Sequence, residues 1–473
     1  MAGDDVSDRS LTALAGALRA GETTAEAIAR EALARHEAVG ERLDAYKTWD
    51  GERALDQARW ADAALAQGRD LGPLLGVPVS LKDLYGVPGL PTFAGSPRRL
   101  PAEWERPGPA VAALLGQGAV ITGKTHTVEF AFGGLGTNPH WGTPRNPWDA
   151  RDHRVPGGSS AGAGVSLAEG SALVAFGTDT AGSVRIPASM TGQVGLKTTH
   201  GRWSLAGIVP LSPSLDTAGL LARSAADAAF AFAAVDPAIG PARADAFLRR
   251  LADVEAADLR LGVCDDYFWE DCSPGIAEAV EAALDELARE GARRKPVALP
   301  ELPEVNRIFR KGGLVAVELY VFLSSVLPDW LDTIDDNVKQ RMAEADTLTA
   351  SAYLDRVRIL GDLAARVDER LAAVDVLVTP TVSVTPPTLA EIAEPGAYRD
   401  ANMAALRNTS VVNYLGLCAV TLPVGLDAAG MPVGLQLVAR GGSDERLLAA
   451  ALAIERVLGT GRERFGPPPI GGS

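Results

Sequence analysis

Two glycine-rich stretches, PGGSSAG at 156–162 and GTDTAGSVRIP at 177–187, decide how this chain of 473 residues is interpreted. A serine follows a glycine in each stretch, Ser159 in the first and Ser183 in the second. Glycine and other small residues permit tight turns and a close approach of the backbone to a bound molecule. Upstream, Lys82 interrupts the apolar segment GVPVSLKDL at 76–84. These three side chains are the starting point for predicting a site.

The segments around these stretches alternate between strand and helix patterns. Apolar runs bounded by glycine or proline predict buried strands at 76–84, 119–122, 172–176, 374–380, 418–424 and 433–438. Helical spacing of apolar residues predicts helices at 8–40, 51–68, 110–118, 159–169, 275–290, 303–372 and 444–458. This alternation predicts the α/β fold class.

The chain shows no internal repeat and no low-complexity linker that would mark a domain boundary. We therefore predict a single domain over residues 1–473, with a helical elaboration at about 240–372. A chain of this length can bury roughly 75 % of its unfolded surface in one core.

Composition excludes several classes of protein. The net charge of −15 argues against nucleic acid as a partner, because phosphate binding needs a basic surface. No apolar run is long enough to span a membrane, and the acidic N-terminus lacks the apolar region of a signal peptide. Three cysteines, Cys264, Cys272 and Cys418, give neither a disulfide framework nor the spacing of a metal site. We expect a cytoplasmic protein that uses no metal and no cofactor.

The turn before Ser183 suits the chemistry of amide hydrolysis. That reaction needs a nucleophile, a base and donors for the oxyanion. Thr180, Ala181 and Gly182 directly precede Ser183, so their backbone N–H groups can converge in one tight turn. We predict that these three residues form an oxyanion hole without the help of side chains.

A serine nucleophile also needs a base, and Lys82 is a candidate. Burial disfavours the charged ammonium and lowers the pKa of lysine towards the range of a general base. The apolar neighbours of Lys82 are equally compatible with a buried catalytic base and with a buried lysine that only pairs with Asp83. Ser159 can relay a proton between lysine and nucleophile, or can simply be the N-cap of the helix that follows it.

Two other motifs match only formally. GSSAG at 158–162 fits the nucleophile elbow of an α/β-hydrolase, which would make Ser160 the nucleophile of an esterase. That fold needs an acid and then a histidine downstream, and only His200 follows. GAVITGKT at 118–125 fits the P-loop pattern, but its strand-like residues lie between the glycines instead of before them.

Taken together, the motifs resemble the amidase signature family. The family's catalytic lysine lies in a segment like VSLKD at 79–83, and its two serines lie in segments like GGSS at 157–160 and DTAGS at 179–183. Further similar landmarks are RNPW at 145–148, GLK at 195–197 and LDT at 215–217. The resemblance covers nearly the whole chain and is weakest at 240–372. It implies a central mixed β-sheet covered by helices on both faces.

The resemblance also implies a site and an activity. Lys82, Ser159 and Ser183 would form a Ser-Ser-Lys triad, with a cis peptide bond at the first serine. The enzyme would hydrolyse the carbon–nitrogen bond of a neutral amide or carbamate through a serine acyl-enzyme. Ala181 stands where the family commonly has glycine, a form shared with members that act on urea-derived groups.

The resemblance suggests further details of the pocket. Carbonyl groups near Phe132 and Gly133 would hold the leaving amine. The segments 133–142 and 322–330 are predicted pocket walls, and Trp330 is expected to influence substrate preference. We expect Arg185 to anchor the second serine's loop through Asp179 instead of contacting substrate.

A different class of protein shares the same family core, namely the amidase subunit of a glutamine-dependent amidotransferase. Such subunits tend to carry Arg-Gln-Pro where this chain has Arg-Ile-Pro at 185–187. For the hydrolase, we expect a small-molecule amide or carbamate as partner, no nucleic acid, no membrane, and a homodimer as one possible assembly.

Overall fold

The computed structural model describes residues 9–264, 267–343, 345 and 347–470. The α-helices in these residues are α1 Leu11–Ala20, α2 Ala25–Leu43, α3 Gly51–Ala66, α4 Pro109–Gly116, α5 Ala161–Glu169, α6 Arg185–Thr191, α7 Ala225–Val235, α8 Ala244–Ala252, α9 Ile276–Arg289, α10 Leu302–Arg310, α11 Val315–Val326, α12 Asp336–Met342, α13 Ala350–Leu371, α14 Pro395–Tyr414, α15 Asp444–Leu458 and α16 Gly461–Phe465. The strands are β1 Tyr46–Trp49, β2 Pro78–Lys82, β3 Val120–Thr125, β4 Val174–Asp179, β5 Val194–Lys197, β6 Thr217–Ala222, β7 Arg260–Val263, β8 Arg293–Pro296, β9 Val376–Pro380, β10 Cys418–Leu426 and β11 Pro432–Ala439.

All of these strands form one sheet, in the order β1-β3-β2-β4-β6-β5-β10-β11-β9-β7-β8. Neighbours run parallel from β3 through β2 to β4 and from β9 through β7 to β8, and the other pairs are antiparallel. Strands β2 to β6 are buried at every residue, which means that both faces of the sheet are covered there. The predicted mixed α/β sheet is confirmed.

The first predicted helix is interrupted in the structure. The sequence predicts one mostly helical stretch over 8–40, but α1 ends at Gly21, which adopts the left-handed conformation and donates its N–H to the Ala17 and Leu18 carbonyl oxygens. Thr24 then begins α2 by accepting a hydrogen bond from Ala27 N–H through its hydroxyl group. Glycine after the last turn is a common helix terminator, because it enters the left-handed region without a steric penalty.

Five strands lack a clear signal in the sequence: β1, β5, β6, β7 and β8. Each has only four to six residues. Strand β8 has the sequence RRKP and is exposed, so no apolar alternation marks it. Segment 240–372 is mostly helical, as predicted, but β7 and β8 also extend the sheet beside β9. The single-domain organisation stays a prediction.

Candidate active site

The candidate site lies where two adjacent parallel strands end. Lys82 is the last residue of β2, and Thr178 and Asp179 end β4. The carboxyl ends of neighbouring parallel strands meet at the same edge of a sheet, so these side chains come together. Lys82 Nζ donates to Ser159 Oγ at 2.7 Å and to Thr178 Oγ1 at 2.9 Å. Lys82 and Ser159 are fully buried.

Burial shapes the acid–base behaviour of Lys82. It lowers the pKa of the ammonium group to about 7, although the carboxylates of Asp216 and Asp179 act in the opposite direction. A substantial fraction of Lys82 is therefore neutral near neutral pH. The alternative pairing with Asp83 does not occur: the carboxylate of Asp83 lies 2.9 Å from Lys124 Nζ instead.

The backbone brings the two serines together. The peptide bond between Gly158 and Ser159 is cis, at the place that the family resemblance implies. Ser160 N–H donates to the carbonyl oxygen of Ser183 at 3.2 Å. Residue Ser160, not Ser159, is the N-cap of α5, and it makes no capping bond with its side chain. The hydroxyl of Ser159 is thus available to Lys82.

Asp179 organises the turn that carries Ser183. Its carboxylate accepts the N–H groups of Gly182 at 2.8 Å and Val184 at 3.1 Å. Gly182 therefore differs from the sequence expectation, because its N–H points to Asp179 instead of to an oxyanion. Within the described part of the chain, the N–H groups of Thr180, Ala181 and Ser183 have no hydrogen-bond partner. These three are the donors available to a reacting carbonyl.

The expected anchoring role of Arg185 is confirmed. Its guanidinium donates to Asp179 at 2.9 and 3.0 Å, and both side chains are fully buried. Asn413 and Gln436 complete the cluster, with Arg185 donating to both side-chain oxygens. Burial alone would raise the pKa of Asp179, but the charge of Arg185 and its hydrogen bonds hold that pKa well below its usual range. Asp179 is thus a fixed anion beneath the turn.

Asp216 is a site residue to which the sequence analysis assigns no role. It accepts Thr180 Oγ1 at 2.5 Å and the N–H groups of Leu211 and Ser212. Burial raises its pKa to about 6, and the positive charge of Lys82 acts against that rise. The LDT motif at 215–217, which from sequence is only a landmark, was the available signal. It places a second carboxylate near the lysine and fixes the side chain of Thr180.

A cavity of about 640 Å³ opens above Ser183. Phe132, Gly133, Thr180 and Ala181 also line it, so both predicted substrate-contact residues and two of the three predicted oxyanion residues share one space with the serine. The remaining walls come from Leu211, the end of α10 and the residues that follow it, the start of α11, α12 and the segment after it, Arg356 of α13, and α14.

The predicted pocket walls at 133–142 and 322–330 do not line the cavity, except for Gly133. Trp330 instead packs under the guanidinium of Arg98, whose Cζ lies 4.6 Å from the ring centroid. Phe322 packs edge-on against Trp104 at 5.6 Å. The aromatic residues of this segment pack outside the cavity, so the predicted wall at 322–330 is wrong, and the influence of Trp330 on substrate preference stays a prediction.

The carbonyl group of Phe132 has a protein partner. Arg341 Nη1 donates to it at 2.7 Å, and the guanidinium carbon lies 3.8 Å from the centre of the Phe132 ring. Arg341 uses one of the two lone pairs of this carbonyl oxygen, so one acceptor position is left and its contact with a leaving amine stays a prediction. The Gly133 carbonyl accepts no hydrogen bond from the residues that the structure describes, so it keeps that capacity.

The two formal motif matches find no support. Ser160 Oγ is buried and donates to the Thr178 carbonyl oxygen at 3.4 Å, and Ser160 does not line the cavity. In GAVITGKT at 118–125, strand β3 occupies residues 120–125, inside the motif instead of before it. A P-loop requires the strand first.

The described residues show neither a metal-binding cluster nor a membrane-spanning helix. No group of three or more histidine, cysteine, aspartate or glutamate side chains is arranged to hold a metal ion among them. Likewise, none of the helices in the described ranges is long and apolar enough to cross a membrane.

Comparison with known proteins identifies the family. The model of the Amidase family matches residues 27–448. A 2-amino-5-chloromuconic acid deaminase of Comamonas testosteroni is 52 % identical over 461 residues, covering 98 % of both chains. One component of the glutamyl-tRNA(Gln) amidotransferase of Salinispora arenicola is 34 % identical, covering 98 % of this chain and 100 % of its own.

Solved structures agree with the sequence relatives. The crystal structure of an amidase superposes with a TM-score of 0.85 at 33 % identity, covering 95 % of this chain and 100 % of its own. With similarity over nearly its whole length, the protein is an enzyme that hydrolyses amide-type carbon–nitrogen bonds, and it belongs to the amidase signature family.

Proposed function

We propose that this enzyme hydrolyses the carbon–nitrogen bond of a small amide or carbamate through an acyl-enzyme on Ser183, with Ser159 and Lys82 as its proton relay. The observation that carries the proposal is the hydrogen bond between Lys82 Nζ and Ser159 Oγ at 2.7 Å in a fully buried environment. There a neutral lysine is accessible near pH 7, because burial lowers its pKa to about 7.

The first half of the reaction forms the acyl-enzyme. Ser183 Oγ attacks the carbonyl carbon and passes its proton to Ser159, which passes its own proton to neutral Lys82. The N–H groups of Thr180, Ala181 and Ser183 stabilise the oxyanion, and removal of one such donor typically costs about 3 kcal/mol of transition-state stabilisation. The proton then returns through Ser159 to the leaving nitrogen as the carbon–nitrogen bond breaks.

Water completes the cycle. It attacks the acyl carbon, gives up a proton along the same relay, and displaces Ser183 Oγ, which recovers that proton. An amide gives an amine or ammonia and a carboxylic acid. A carbamate cleaved at the carbon–nitrogen bond gives an amine and a carbonic acid monoester, which loses carbon dioxide to leave the alcohol. Lys82 is neutral again at the end of the cycle, so the proposed reaction balances without a cofactor.

An experiment with matched aryl substrates tests the proposal. Purified wild-type protein is assayed on a 4-nitroanilide and the corresponding alkyl N-(4-nitrophenyl)carbamate, both of which release 4-nitroaniline when the carbon–nitrogen bond breaks, beside Ser183→Ala, Ser159→Ala and Lys82→Ala. We expect each variant to lose at least about 100-fold in kcat, as is usual for activating groups. The anilide-to-carbamate ratio locates the preferred bond. Full activity of Ser183→Ala would refute the assignment of Ser183 as the nucleophile.

A second candidate follows from the 52 % identical relative, whose name records deamination of an amino-muconic acid. In such a substrate the nitrogen sits on a carbon next to a carboxylate and not on a carbonyl carbon. Addition of water to the imine tautomer, followed by loss of ammonia, leaves a 2-oxo acid. Product analysis separates the candidates, because amide hydrolysis releases a new carboxylate and deamination releases a new keto group.

The cytoplasmic location and the homodimer remain predictions. The amidotransferase alternative is tested by the same assays, since a hydrolase acts as a purified single chain, whereas the amidase component of an amidotransferase works with partner chains.

A further inference from the structure

The cavity above Ser183 differs in charge from the rest of the protein. The chain carries a net charge of −15. Yet five of the described residues that line this cavity are cationic, Arg310, Lys311, Arg341, Arg356 and Arg399, and only Asp400 is acidic. A cleft lined by one sign of charge concentrates ligands of the opposite sign.

The cationic residues differ in position. Arg399 faces its neighbour Asp400, with Nε to Oδ1 at 3.9 Å, so that pair is close to neutral. Arg310 and Lys311 are exposed and lie at the rim of the cavity. Arg356 is half-buried and donates one N–H to the Gly313 carbonyl oxygen. These placements leave the interior charge to Arg341 and Arg356.

Arg341 is held in a fixed position inside the cavity. Its Nη1 donates to the Phe132 carbonyl oxygen, and its guanidinium group lies against the Phe132 ring. Helix α12, which carries it, is tied to the same loop at its other end, where Asp335 N–H donates to Glu129 Oε2 at 2.7 Å. The guanidinium is therefore positioned before any ligand arrives.

Most of the hydrogen-bonding capacity of Arg341 is unused. A guanidinium has five N–H donors in a planar fork. Among the residues that the structure describes, only the Phe132 carbonyl accepts from it, and no carboxylate lies within 4 Å of it. Burial lowers its pKa, which reflects the cost of holding this charge away from water without a counter-ion. A ligand carboxylate would offset that cost.

We propose that the substrate carries a carboxylate group that Arg341 binds in this cavity, with Arg356 beside it and with Arg310 and Lys311 attracting the anion at the rim. The inference rests on the proposed function and names its substrate class: an amide of a dicarboxylic acid, or an amino-dicarboxylic acid. It departs from the neutral substrate predicted from the sequence. Arginine suits the role because its fork matches both carboxylate oxygens.

A pair of substrates that differ in one charge tests the proposal. N-succinyl 4-nitroanilide ends in a carboxylate where N-butyryl 4-nitroanilide ends in a methyl group. For the wild type we expect kcat/KM to be at least about tenfold higher for the succinyl compound, mainly through a lower KM, because a hydrogen bond to a charged group usually improves binding by at least this factor. The preference should shrink as salt increases.

Variants locate the contact. Arg341→Met keeps an apolar stem against Phe132 and should lower the succinyl-to-butyryl ratio of kcat/KM by about 10- to 100-fold. Arg341→Lys should recover part of that ratio. The matched control is Arg358→Met on α13, because Arg358 is exposed and pairs only with Asp355 and Asp362 among the described residues. A ratio that stays at the wild-type value in Arg341→Met would overturn the proposed contact.

A binding measurement separates this inference from the proposed function. Calorimetry on Ser183→Ala protein compares the diacid adipate with neutral adipamide, without any turnover. We expect Arg341→Met or Arg356→Gln to weaken adipate binding at least about tenfold, because each removes a hydrogen bond to a charged group. That result supports the carboxylate site even if no anilide is hydrolysed. Equal binding of the two compounds overturns it, even if Ser183 proves to be the nucleophile. Thermal melting of each variant confirms that it is folded.

Discussion

Lys82 Nζ lies 2.7 Å from Ser159 Oγ, and both side chains are closed off from bulk water. A charged ammonium in this place is poorly solvated, so burial makes the neutral amine accessible. The same arrangement that stabilises a lysine as a hydrogen-bond donor in the resting enzyme thus prepares it as a base.

The first prediction concerns pH. Because Lys82 must be neutral to accept a proton, kcat/KM should rise with pH through an apparent pKa of about 7. Lys82→Arg stays charged at every accessible pH and should lose at least about 100-fold in activity. A pH–rate series from about pH 5 to about pH 9 brackets this pKa and checks the prediction. A flat profile in the wild type would contradict the role of Lys82.

The second prediction concerns Asp216. Its negative charge raises the pKa of Lys82, so Asp216→Asn should move the rise in kcat/KM to lower pH. The amide oxygen can accept the N–H groups of Leu211 and Ser212, while the NH2 group donates to Thr180 Oγ1, which limits the structural damage. The same pH–rate series measures the shift. An unchanged or higher apparent pKa would show that the two groups do not interact.

A third prediction addresses stability. Arg185→Met leaves Asp179 buried as an unpaired charge, so we expect a loss of about 3–5 kcal/mol in the free energy of unfolding. Urea titration measures it. Arg358→Met is the control, because among the described residues that arginine pairs only with two exposed carboxylates, and it should change the free energy by less than about 1 kcal/mol. Equal effects of the two variants would refute the special role of the Arg185–Asp179 pair.

The fourth prediction concerns Glu129, which lies in the loop beside the cavity. Burial raises its pKa to about 8, and the hydrogen bond from Asp335 N–H opposes that rise. Its Oε1 lies 3.2 Å from His140 Nε2, and neither atom has another partner in the described chain. A protonated Glu129 would donate to the neutral imidazole, whose pKa burial lowers.

The sign of the resulting pH dependence follows from the direction of that shift. The native state keeps a proton that the unfolded chain releases near pH 4.5, so the stabilisation is complete below that pH and is lost as pH rises to about 8. Glu129→Gln removes the titration and should flatten the free energy of unfolding between pH 4.5 and about pH 8, the range between the unfolded and native pKa values. If the variant keeps the wild-type slope, another group is responsible.

The parts of the site that local motifs encode can be predicted from the sequence. The sequence indicates a lysine at the end of an apolar strand, Lys82. It also indicates two serines in glycine-rich turns, Ser159 and Ser183. Their convergence is implied by the family resemblance, and the catalytic roles are still to be measured. The hydrogen-bond partner of each N–H in the second turn could not be predicted, because the carboxylate of Asp179 accepts the N–H of Gly182.

Long-range packing explains what the sequence does not reveal. Asp216 and Arg341 lie at the site but far from Ser183 in the chain; the LDT motif marks Asp216 only as a landmark, and no local pattern marks Arg341. The aromatic character of Trp330 favours a pocket wall, but its environment depends on Arg98. Strand β8 is polar and exposed, so its place in the sheet follows from pairing with β7 instead of from periodicity.

Ser183 is the proposed nucleophile, activated through Ser159 and Lys82. Intact-protein mass spectrometry after reaction with an O-aryl carbamate, followed by peptide mapping, identifies the residue that is acylated. The account predicts one carbamoyl adduct on Ser183, absent from Ser183→Ala and formed at least about 100-fold more slowly in Lys82→Ala. An adduct on Ser160, or equal labelling of Ser183→Ala, would contradict it.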